Sequence, residues 1–327
     1  MPERRSTAYQ IPANYSFGRT FCVGDTDADL DIVSQDEGVG NDVESGYGLD
    51  PFRPFATLSY CNTYAVKTNR CDTVLISPGS TYDITTAAGL EFTKNGVHYK
   101  GLGGRYNRPN FTCSGTTDTL DINVSGSGCV FENLLFDMTG NDSVTAFLHV
   151  TGSDNTFYNC RFLLADSGGQ VDIGVLLDTG ADRTEFHNCQ FYGDTAASFG
   201  ITINAALAEV RLFNTTIDLV GAAGAGGACC IDFLGAAVNF YAENCFFANR
   251  VASATATIDC NAQAVTGALV RCSHVLGTIA TAGSGIVPVV SDTPEAYLAL
   301  IENYVVNDQG GAGHGGEAGA LVGSAST

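Results

Sequence analysis

A short phrase returns along this chain about every 28 residues. In its clearest copies, Phe157–Phe162 and Phe186–Phe191, an apolar residue, a spacer, Asn, Cys, a second spacer and a large apolar residue follow one another. Weaker copies lie at Phe131–Phe136, Leu212–Ile217, Asn244–Phe247, Val270–Val275 and Ile301–Val306. A fixed period in this range is typical of stacked repeats, in which each unit buries its apolar face against its neighbours.

The segments between the phrases have the period of β-strands. Ala146–Val150, Ile173–Leu177 and Phe199–Ile203 are short apolar segments, and Gly, Asp, Ser and Asn fill the joints. Helical periodicity is nearly absent after residue 70, and the patterns of leucine-rich and armadillo solenoids are missing. Short strands and turns in each coil predict an all-β chain, a right-handed parallel β-helix over residues 57–308.

Stacked coils place like residues above like residues, at the roughly 4.8 Å spacing of paired strands. The Asn of each phrase is then expected to form a ladder at a turn, its amide bonding up and down the stack. The predicted ladder consists of Asn159, Asn188, Asn214, Asn244 and Asn303. Cys272 is predicted to take the Asn position of its own coil and to interrupt the ladder.

Both ends of the chain lack the repeat. We predict an acidic N-terminal arm over residues 1–56, in which Asp25–Asp50 fits a solvated loop better than a calcium-binding segment. Apolar residues at Phe55 and Leu58 begin one helix face, so a short helix is predicted to cover the open end of the stack. A Gly/Ala-rich tail is predicted at residues 309–327.

The composition restricts the partners of the chain. A net charge of −20 argues against a nucleic-acid partner, because phosphate binding depends on Lys and Arg. Twelve Cys without a CxxC pair or a zinc-type spacing are interpreted mostly as small apolar core residues. No secretory signal and no membrane-length apolar run occur, so we expect no membrane insertion, no cofactor and synthesis in a reducing cytoplasm.

Catalysis on the surface of a β-helix needs clustered carboxylates on neighbouring coils, to hold calcium or to cleave a glycosidic bond. The outward column after Asn-Cys reads Leu135, Arg161, Gln190, Thr216, Phe246, His274 and Val305. The outward column before Asn reads Glu132, Tyr158, His187, Phe213, Glu243, Arg271 and Glu302. The first holds no carboxylate and the second is mixed, so the sequence predicts no catalytic, cofactor-binding or metal-binding residue.

One motif is similar to a motif of pectin-degrading hydrolases. Gly313-His314-Gly315 matches their Gly-His-Gly, but the Asp-Asp pair that accompanies it there is missing here. Lyases of β-helical fold use Lys or Arg as the base, and this chain has only three Lys. We therefore assign no catalytic role to His314.

Outward apolar residues are expected to form columns along the rod. Leu135, Phe246 and Val305 share one column, and Tyr158 and Phe213 lie on its neighbour. A stripe of this kind suits cover by another subunit of a self-associating rod, and equally cover by a long loop of the same chain.

Several segments carry a resemblance to a known group of proteins. They are Arg19–Gly24, Val74–Gly79, Ala88–Leu90, Gly101–Gly104, Asn107–Thr112, Glu132–Phe136 and the Asn-Cys phrases. Over residues 70–306 the chain resembles bacteriophage-encoded β-helix proteins of pectin-lyase-like type. The resemblance implies a virion component of the head-decoration, spike or fibre type, commonly a homotrimer, made in the cytoplasm of the host bacterium. That group has no agreed catalytic residues.

We therefore expect a structural protein of a phage virion, a β-helical rod that decorates the capsid or is attached to the tail. Its partners would be further copies of itself and capsid or tail proteins, with residues 1–56 or the tail segment as the attachment. A polysaccharide depolymerase or lyase is one alternative, and it predicts a groove of Asp and Glu. A non-catalytic rod that binds a host surface glycan is another.

Overall fold

The described part of the chain is built almost entirely from short β-strands. This computed structural model describes residues 18–24, 41–42, 47–85, 89–104, 107–113, 122–138, 146–166, 169–193, 199–221, 229–251, 256–261, 263–275, 278–280 and 285–289. The chain also forms one helical turn, α1, at Leu58–Tyr60, followed by a π-helical turn at Cys61–Ala65. The strands belong to three sheets, which we name A, B and C.

The strands of each sheet are taken from successive coils. Sheet A contains β1 (Thr20–Val23), β2 (Thr73–Ile76), β5 (His98–Gly101), β8 (Val130–Glu132), β11 (Thr156–Tyr158), β15 (Glu185–His187), β18 (Leu207–Ala208), β19 (Arg211–Phe213), β22 (Ala237–Glu243), β25 (Val265–Val270) and β28 (Gly285–Val289). Sheet B contains β3 (Thr81–Ile84), β6 (Asn110–Cys113), β9 (Leu135–Asp137), β12 (Arg161–Asp166), β13 (Gly169–Gln170), β16 (Gln190–Gly193), β20 (Thr216–Gly221), β23 (Phe246–Val251) and β26 (Ser273–Val275). Sheet C contains β4 (Leu90–Phe92), β7 (Ile122–Val124), β10 (Ala146–Val150), β14 (Ile173–Leu177), β17 (Phe199–Ile203), β21 (Ile231–Phe233), β24 (Ala256–Asp259) and β27 (Thr278–Ala280).

The chain passes from sheet A to sheet B to sheet C and back, and each circuit is one coil of a right-handed parallel β-helix. Phe157 pairs in register with Phe131 of the preceding coil and with Phe186 of the following coil. The coils are about 27 residues long, and all strand pairs are parallel except the hairpin of β12 and β13. The predicted fold is confirmed.

Two stacks of buried aromatic rings fill the interior along the rod. Inside sheet A, neighbouring centroids lie 5.0–5.3 Å apart in the stack Tyr99, Phe131, Phe157 and Phe186. Inside sheet B, neighbouring centroids lie 4.3–5.3 Å apart in the stack Phe111, Phe136, Phe162 and Phe191. The stacks meet edge to face, for example Phe157 against Phe162, so rings of both sheets hold each coil on the next.

A residue in the left-handed conformation turns the chain from sheet A to sheet B in each coil. Asn133, Asn159, Asn188, Asn214 and Asn244 hold this position, with φ between 50° and 59°. Asn tolerates this conformation better than most other residues with a Cβ, which explains its return at one place in the coil. The Asn159 amide Nδ2 donates to Asn133 Oδ1 at 3.2 Å. The common turn position is confirmed for Asn159, Asn188, Asn214 and Asn244. Amide bonding along the rest of the ladder stays a prediction, and Asn303 lies outside the described residues.

The coil near residue 270 corrects the predicted ladder. Val270 pairs with Glu243, and Arg271 adopts the left-handed φ of 51°. Arg271 therefore takes the Asn position and Cys272 the Cys position, so the prediction for Cys272 is wrong by one residue. Matching by residue type had aligned Cys272 with Asn244, whereas the hydrogen-bond register is set by the backbone turn.

The same shift changes both outward columns at this coil. Val270 replaces Arg271 in the column before Asn, and Ser273 replaces His274 in the column after Asn-Cys. Glu302 and Val305, which were predicted to continue these columns, lie outside the described residues.

The helical turns close the first end of the core, as predicted. Leu58 and Cys61 are buried beneath them, and the Thr57 hydroxyl accepts the N–H of Tyr60 at the start of α1. β1, within the predicted arm of residues 1–56, pairs with β2 in sheet A. The boundaries of the arm, the β-helix and the tail stay predictions, and most of Asp25–Asp50 lies outside the described residues.

The cysteines are free thiols, and ten of the twelve are buried. Cys71 is exposed and Cys272 is half-buried. The interpretation of most Cys as small core residues is confirmed.

The turn from sheet A to sheet B can be tested at Asn188. We expect Asn188→Ala to destabilise the chain by about 1–2 kcal/mol more than Asn188→Gly, because only Gly adopts a left-handed φ without steric cost. Both variants lose the same side-chain amide, so their difference isolates the backbone. Urea denaturation followed by circular dichroism measures it, and a glycine variant as unstable as the alanine variant would contradict the assignment.

Candidate functional site

Alternate residues of the sheet A strands point away from the core and form two outward columns. The first column contains His98, Val130, Thr156, Glu185, Arg211 and Tyr241. The second column contains Lys100, Glu132, Tyr158, His187, Phe213 and Glu243. We call these two columns the sheet A face.

Charged side chains of the sheet A face pair across neighbouring coils. Lys100 Nζ donates to Glu132 Oε1 at 2.8 Å, and His98 Nε2 lies 2.8 Å from Glu132 Oε2. Burial acts to raise the pKa of Glu132, but hydrogen bonds from Lys100 and His98 outweigh it and lower the pKa. Glu132 is therefore held as an ionised carboxylate with both oxygens bonded.

The same pairing recurs around Arg211. Its guanidinium donates to Glu185 at 3.1 Å and to Glu209 at 2.7 Å. The second oxygen of Glu185 lies 2.8 Å from the ring nitrogen Nε2 of His187. Glu185 therefore bonds to two neighbours, like Glu132.

Glu243 completes the series. It accepts a hydrogen bond from the Tyr241 hydroxyl at 2.9 Å and pairs with Arg271 of the next coil. Arg271 Nε also donates to Asn244 Oδ1 at 2.8 Å. The three carboxylates of the sheet A face thus serve to join coils, and none is placed as a free base.

Aromatic rings continue along the sheet A face between the charged groups. Ring centroids are 6.3 Å apart for Tyr158 and His187, 4.7 Å for His187 and Phe213, and 5.7 Å for Phe213 and Tyr241. Tyr158 is 44% exposed at the start of this column. The prediction that Tyr158 and Phe213 share a column is confirmed by the strand register.

The second predicted apolar column lies on sheet B. Leu135 and Phe246 share it, but they are separated by Arg161, Gln190 and Thr216. This column therefore presents isolated apolar residues rather than a continuous stripe.

The connections that border the sheet A face differ in length from the connections between sheets B and C. From β8 to β25 only two residues connect sheet A to sheet B in each coil. On the side towards sheet C, Asp154, Arg183 and Glu209 hold left-handed turns, and Arg183 binds both oxygens of Asp154. Connections from sheet B to sheet C reach the length of residues 222–230. The border towards sheet B is therefore low from β8 onwards, whereas residues 102–109 form a longer connection before it, from which Arg108 binds Asn159.

A pair of carboxylates lies on the outer face of sheet C. Asp232 of β21 pairs in register with Asp259 of β24 on the next coil. The Asn261 side-chain amide donates to Asp232, and its backbone N–H donates to Asp259 at 2.9 Å. The sequence analysis missed this pair, because it followed only columns beside the Asn phrase and sheet C carries no recurring phrase. The alternation in Ile231-Asp232-Phe233 and Ile258-Asp259 was the signal available.

The pKa of Asp232 is raised above its ordinary value. Burial raises its pKa to about 6, the Asn261 hydrogen bond opposes the shift, and the charge of Asp259 adds to it. Asp232 is only 4% exposed, and the buried Thr202 precedes it in the same column. The pair thus combines a carboxyl group whose pKa is raised towards neutral pH with a second carboxyl group beside it. Pairs of carboxyl groups in different environments are used in acid–base catalysis.

Metal ligands, membrane-spanning helices and the Gly-His-Gly motif are the remaining candidate features. Within them, no group of three or more His, Cys, Asp or Glu side chains is placed to hold a metal ion. None of the helices in the described ranges is long and apolar enough to cross a bilayer. Gly313-His314-Gly315 lies outside the described residues.

Comparisons with known proteins concern the fold. No protein-family model and no curated protein matches the chain. Among solved structures it is similar to pectate lyase Pel9A, with 16% identity, a TM-score of 0.46, and coverage of 84% of this chain and 75% of that chain. It is also similar to a rhamnogalacturonan lyase, with 16% identity, a TM-score of 0.36, and coverage of 83% and 66%. The chemistry of this chain has to be judged from its own side chains, because one fold hosts many functions.

The raised pKa of Asp232 predicts the direction in which a substitution there changes stability. Because the pKa is higher in the folded chain than the ordinary value of 3.8, the stability due to this group is present below 3.8 and lost as pH rises to about 6. We therefore expect Asp232→Asn to raise the thermal midpoint relative to the parent chain at pH 7.5, with a smaller gain at pH 4.

Asp154→Asn is the matched control. Hydrogen bonds from Arg183 and Ser153 lower the pKa of Asp154 to about 2, so this substitution is expected to lower the thermal midpoint at pH 7.5. Scanning calorimetry at both pH values measures the two variants. The same sign of change for both at pH 7.5 would contradict the electrostatic assignment.

Proposed function

We propose that the chain is a structural protein of a bacteriophage virion, a non-catalytic β-helical rod attached to the capsid or tail and associated with copies of itself. The phage origin rests on the resemblance of residues 70–306. The two solved structures named above are described as polysaccharide lyases and not as virion proteins.

The observation that carries the structural role is the use of the carboxylates on the sheet A face. Glu132, Glu185 and Glu243 each bond to a cationic or hydroxyl group, mostly across coils. Each exposed pair is worth about 1 kcal/mol or less, but repetition along the rod stiffens one coil against the next. A surface built in this way favours a rigid support over a site of acid–base chemistry.

Association with the particle is directly measurable. We expect the chain to co-sediment with purified particles of the phage that encodes it, and to remain bound after a second gradient in 0.5 M salt, on the order of several times physiological ionic strength. Mass spectrometry of the gradient fractions gives the copy number per particle. A chain that stays entirely at the top of the gradient, while capsid proteins sediment, would contradict the proposal.

The Asp232–Asp259 pair favours a second candidate function, cleavage of a polysaccharide on sheet C. Asp232 would be the general acid and Asp259 the nucleophile, since stacked coils place carboxyl groups roughly 5 Å apart, the separation in retaining glycosidases. The depth of Asp232 weighs against this function, because a general acid has to reach the glycosidic oxygen. Within the described residues, neither carboxylate pairs with a Lys, Arg or His.

Activity assays separate the two functions. Incubation of the chain with capsular polysaccharide or lipopolysaccharide is expected to release no reducing ends and no unsaturated sugars. Asp259→Asn serves as the inactive comparison, because its loss of charge removes the proposed nucleophile at little cost in volume. Release of sugar ends by the parent chain and not by Asp259→Asn would establish the enzyme and overturn the non-catalytic role.

A further inference from the structure

We propose that the sheet A face is the surface through which copies of this chain associate. The inference rests on the proposed function, in which the rod associates with itself, and it names the face and the residues that make the contact. The sequence indicated outward apolar columns that suit self-association, but it did not decide between the column of Leu135 and Phe246 and the neighbouring column of Tyr158 and Phe213.

The charges of the sheet A face are nearly balanced. The chain carries −20, so copies repel one another over most of their surface. The face and its edges contain five Lys or Arg (Lys100, Arg108, Arg183, Arg211, Arg271) and six Asp or Glu (Glu132, Asp154, Asp182, Glu185, Glu209, Glu243). Charges on this side nearly cancel, and two copies can approach there with little repulsion.

The area of the sheet A face is close to that of a stable protein interface. Strands β2 to β25 give a run of sheet roughly 40 Å long and about 15 Å wide, at ~4.8 Å per strand and ~3.3 Å per residue. The product, on the order of 600 Å² per copy, approaches the ~800 Å² per partner of a stable interface. Two-residue turns keep the border towards sheet B low from β8 to β25, whereas small-molecule sites are concave.

Aromatic side chains lie at the centre of the face. Tyr158, His187 and Phe213 of the second column and Tyr241 of the first form a run of neighbouring rings, which we call the aromatic column, with arginine and carboxylate groups beside it. Aromatic and arginine side chains are the types enriched in the core of protein interfaces. At the edge towards sheet C, Val238 is 52% exposed and widens the apolar area.

A glycan is the other occupant that an aromatic surface could take. Sugar rings stack on the open faces of aromatic rings, but His187 and Phe213 lie 4.7 Å apart and 20° from parallel, so these two rings cover one another. Among the rings of this run, Tyr158 is the exposed one, at 44%. Contact with a second protein surface fits that arrangement better.

The outer faces of sheets B and C have fewer features of an association surface. On sheet B, Leu135 and Phe246 are separated by polar side chains. On sheet C, Thr202 and Asp232 are buried within the outward column itself. The sheet A face is the one on which balanced charge, a low border towards sheet B and an aromatic column coincide.

The test is a tyrosine-to-arginine substitution on each of two faces of the full chain. Tyr158→Arg places a bulky charge in the aromatic column of the sheet A face. Tyr192→Arg makes the same change on the outer side of sheet B, where Tyr192 is 38% exposed, close to the 44% of Tyr158. Circular dichroism and thermal unfolding confirm that both variants fold, and sedimentation equilibrium measures the association constant.

We expect the parent chain and Tyr192→Arg to form the same oligomer, and Tyr158→Arg to associate about tenfold more weakly or to be monomeric. Val238→Arg, on the edge of the same face, is expected to follow Tyr158→Arg to a lesser extent. A monomeric parent chain, or equal association of the Tyr158 and Tyr192 variants, would overturn the proposal.

Binding of the parent chain to a host glycan array with loss of that binding in Tyr158→Arg would also overturn it, in favour of a glycan platform. Failure of the proposed function looks different. An oligomer that depends on Tyr158 but never sediments with phage particles would leave the interface intact and remove only the virion role.

Discussion

Stacking of each coil directly upon the next is the constraint on which the rest of this structure depends. It requires every coil to turn at the same point, and the left-handed residue between sheets A and B provides that turn in six consecutive coils, from Asn133 to Arg271. Once the turn is fixed, rings such as Phe157 and Phe186 lie in register and fill the core. One coil alone could not bury these rings, so stability grows with the number of coils.

The same stacking determines what the surface can do. Outward residues of adjacent coils lie about 4.8 Å apart, close enough for ion pairs and ring contacts along the rod. On the sheet A face this proximity is used to join Glu132, Glu185 and Glu243 to their neighbours. On sheet C it brings Asp232 and Asp259 together with no described cation between them, and burial raises the pKa of Asp232. The same repeat thus pairs carboxylates with cationic or hydroxyl groups on sheet A and places two carboxyl groups side by side on sheet C.

The sequence predicted the repeat, the parallel β-helix, the recurring Asn turn and the short helix at the first end, because each follows from a local pattern. Cys272 was misplaced because residue type and backbone turn disagree by one position where Arg271 takes the place of Asn. The pair of Asp232 and Asp259 was missed because the sheet C strands have no common phrase, and their alignment is set by connections of unequal length. The pairing of charges on the sheet A face depends on side-chain conformations that the order of residues does not contain.

A cryo-EM structure of the purified full-length chain, prepared with and without host polysaccharide, distinguishes a self-associating rod from a polysaccharide-cleaving enzyme. We expect an oligomer in which the sheet A faces of neighbouring copies are buried against one another and Asp232 remains covered, with the polysaccharide making no difference. A monomer with the sheet A face in solvent and a sugar chain lying against Asp232 and Asp259 would contradict it.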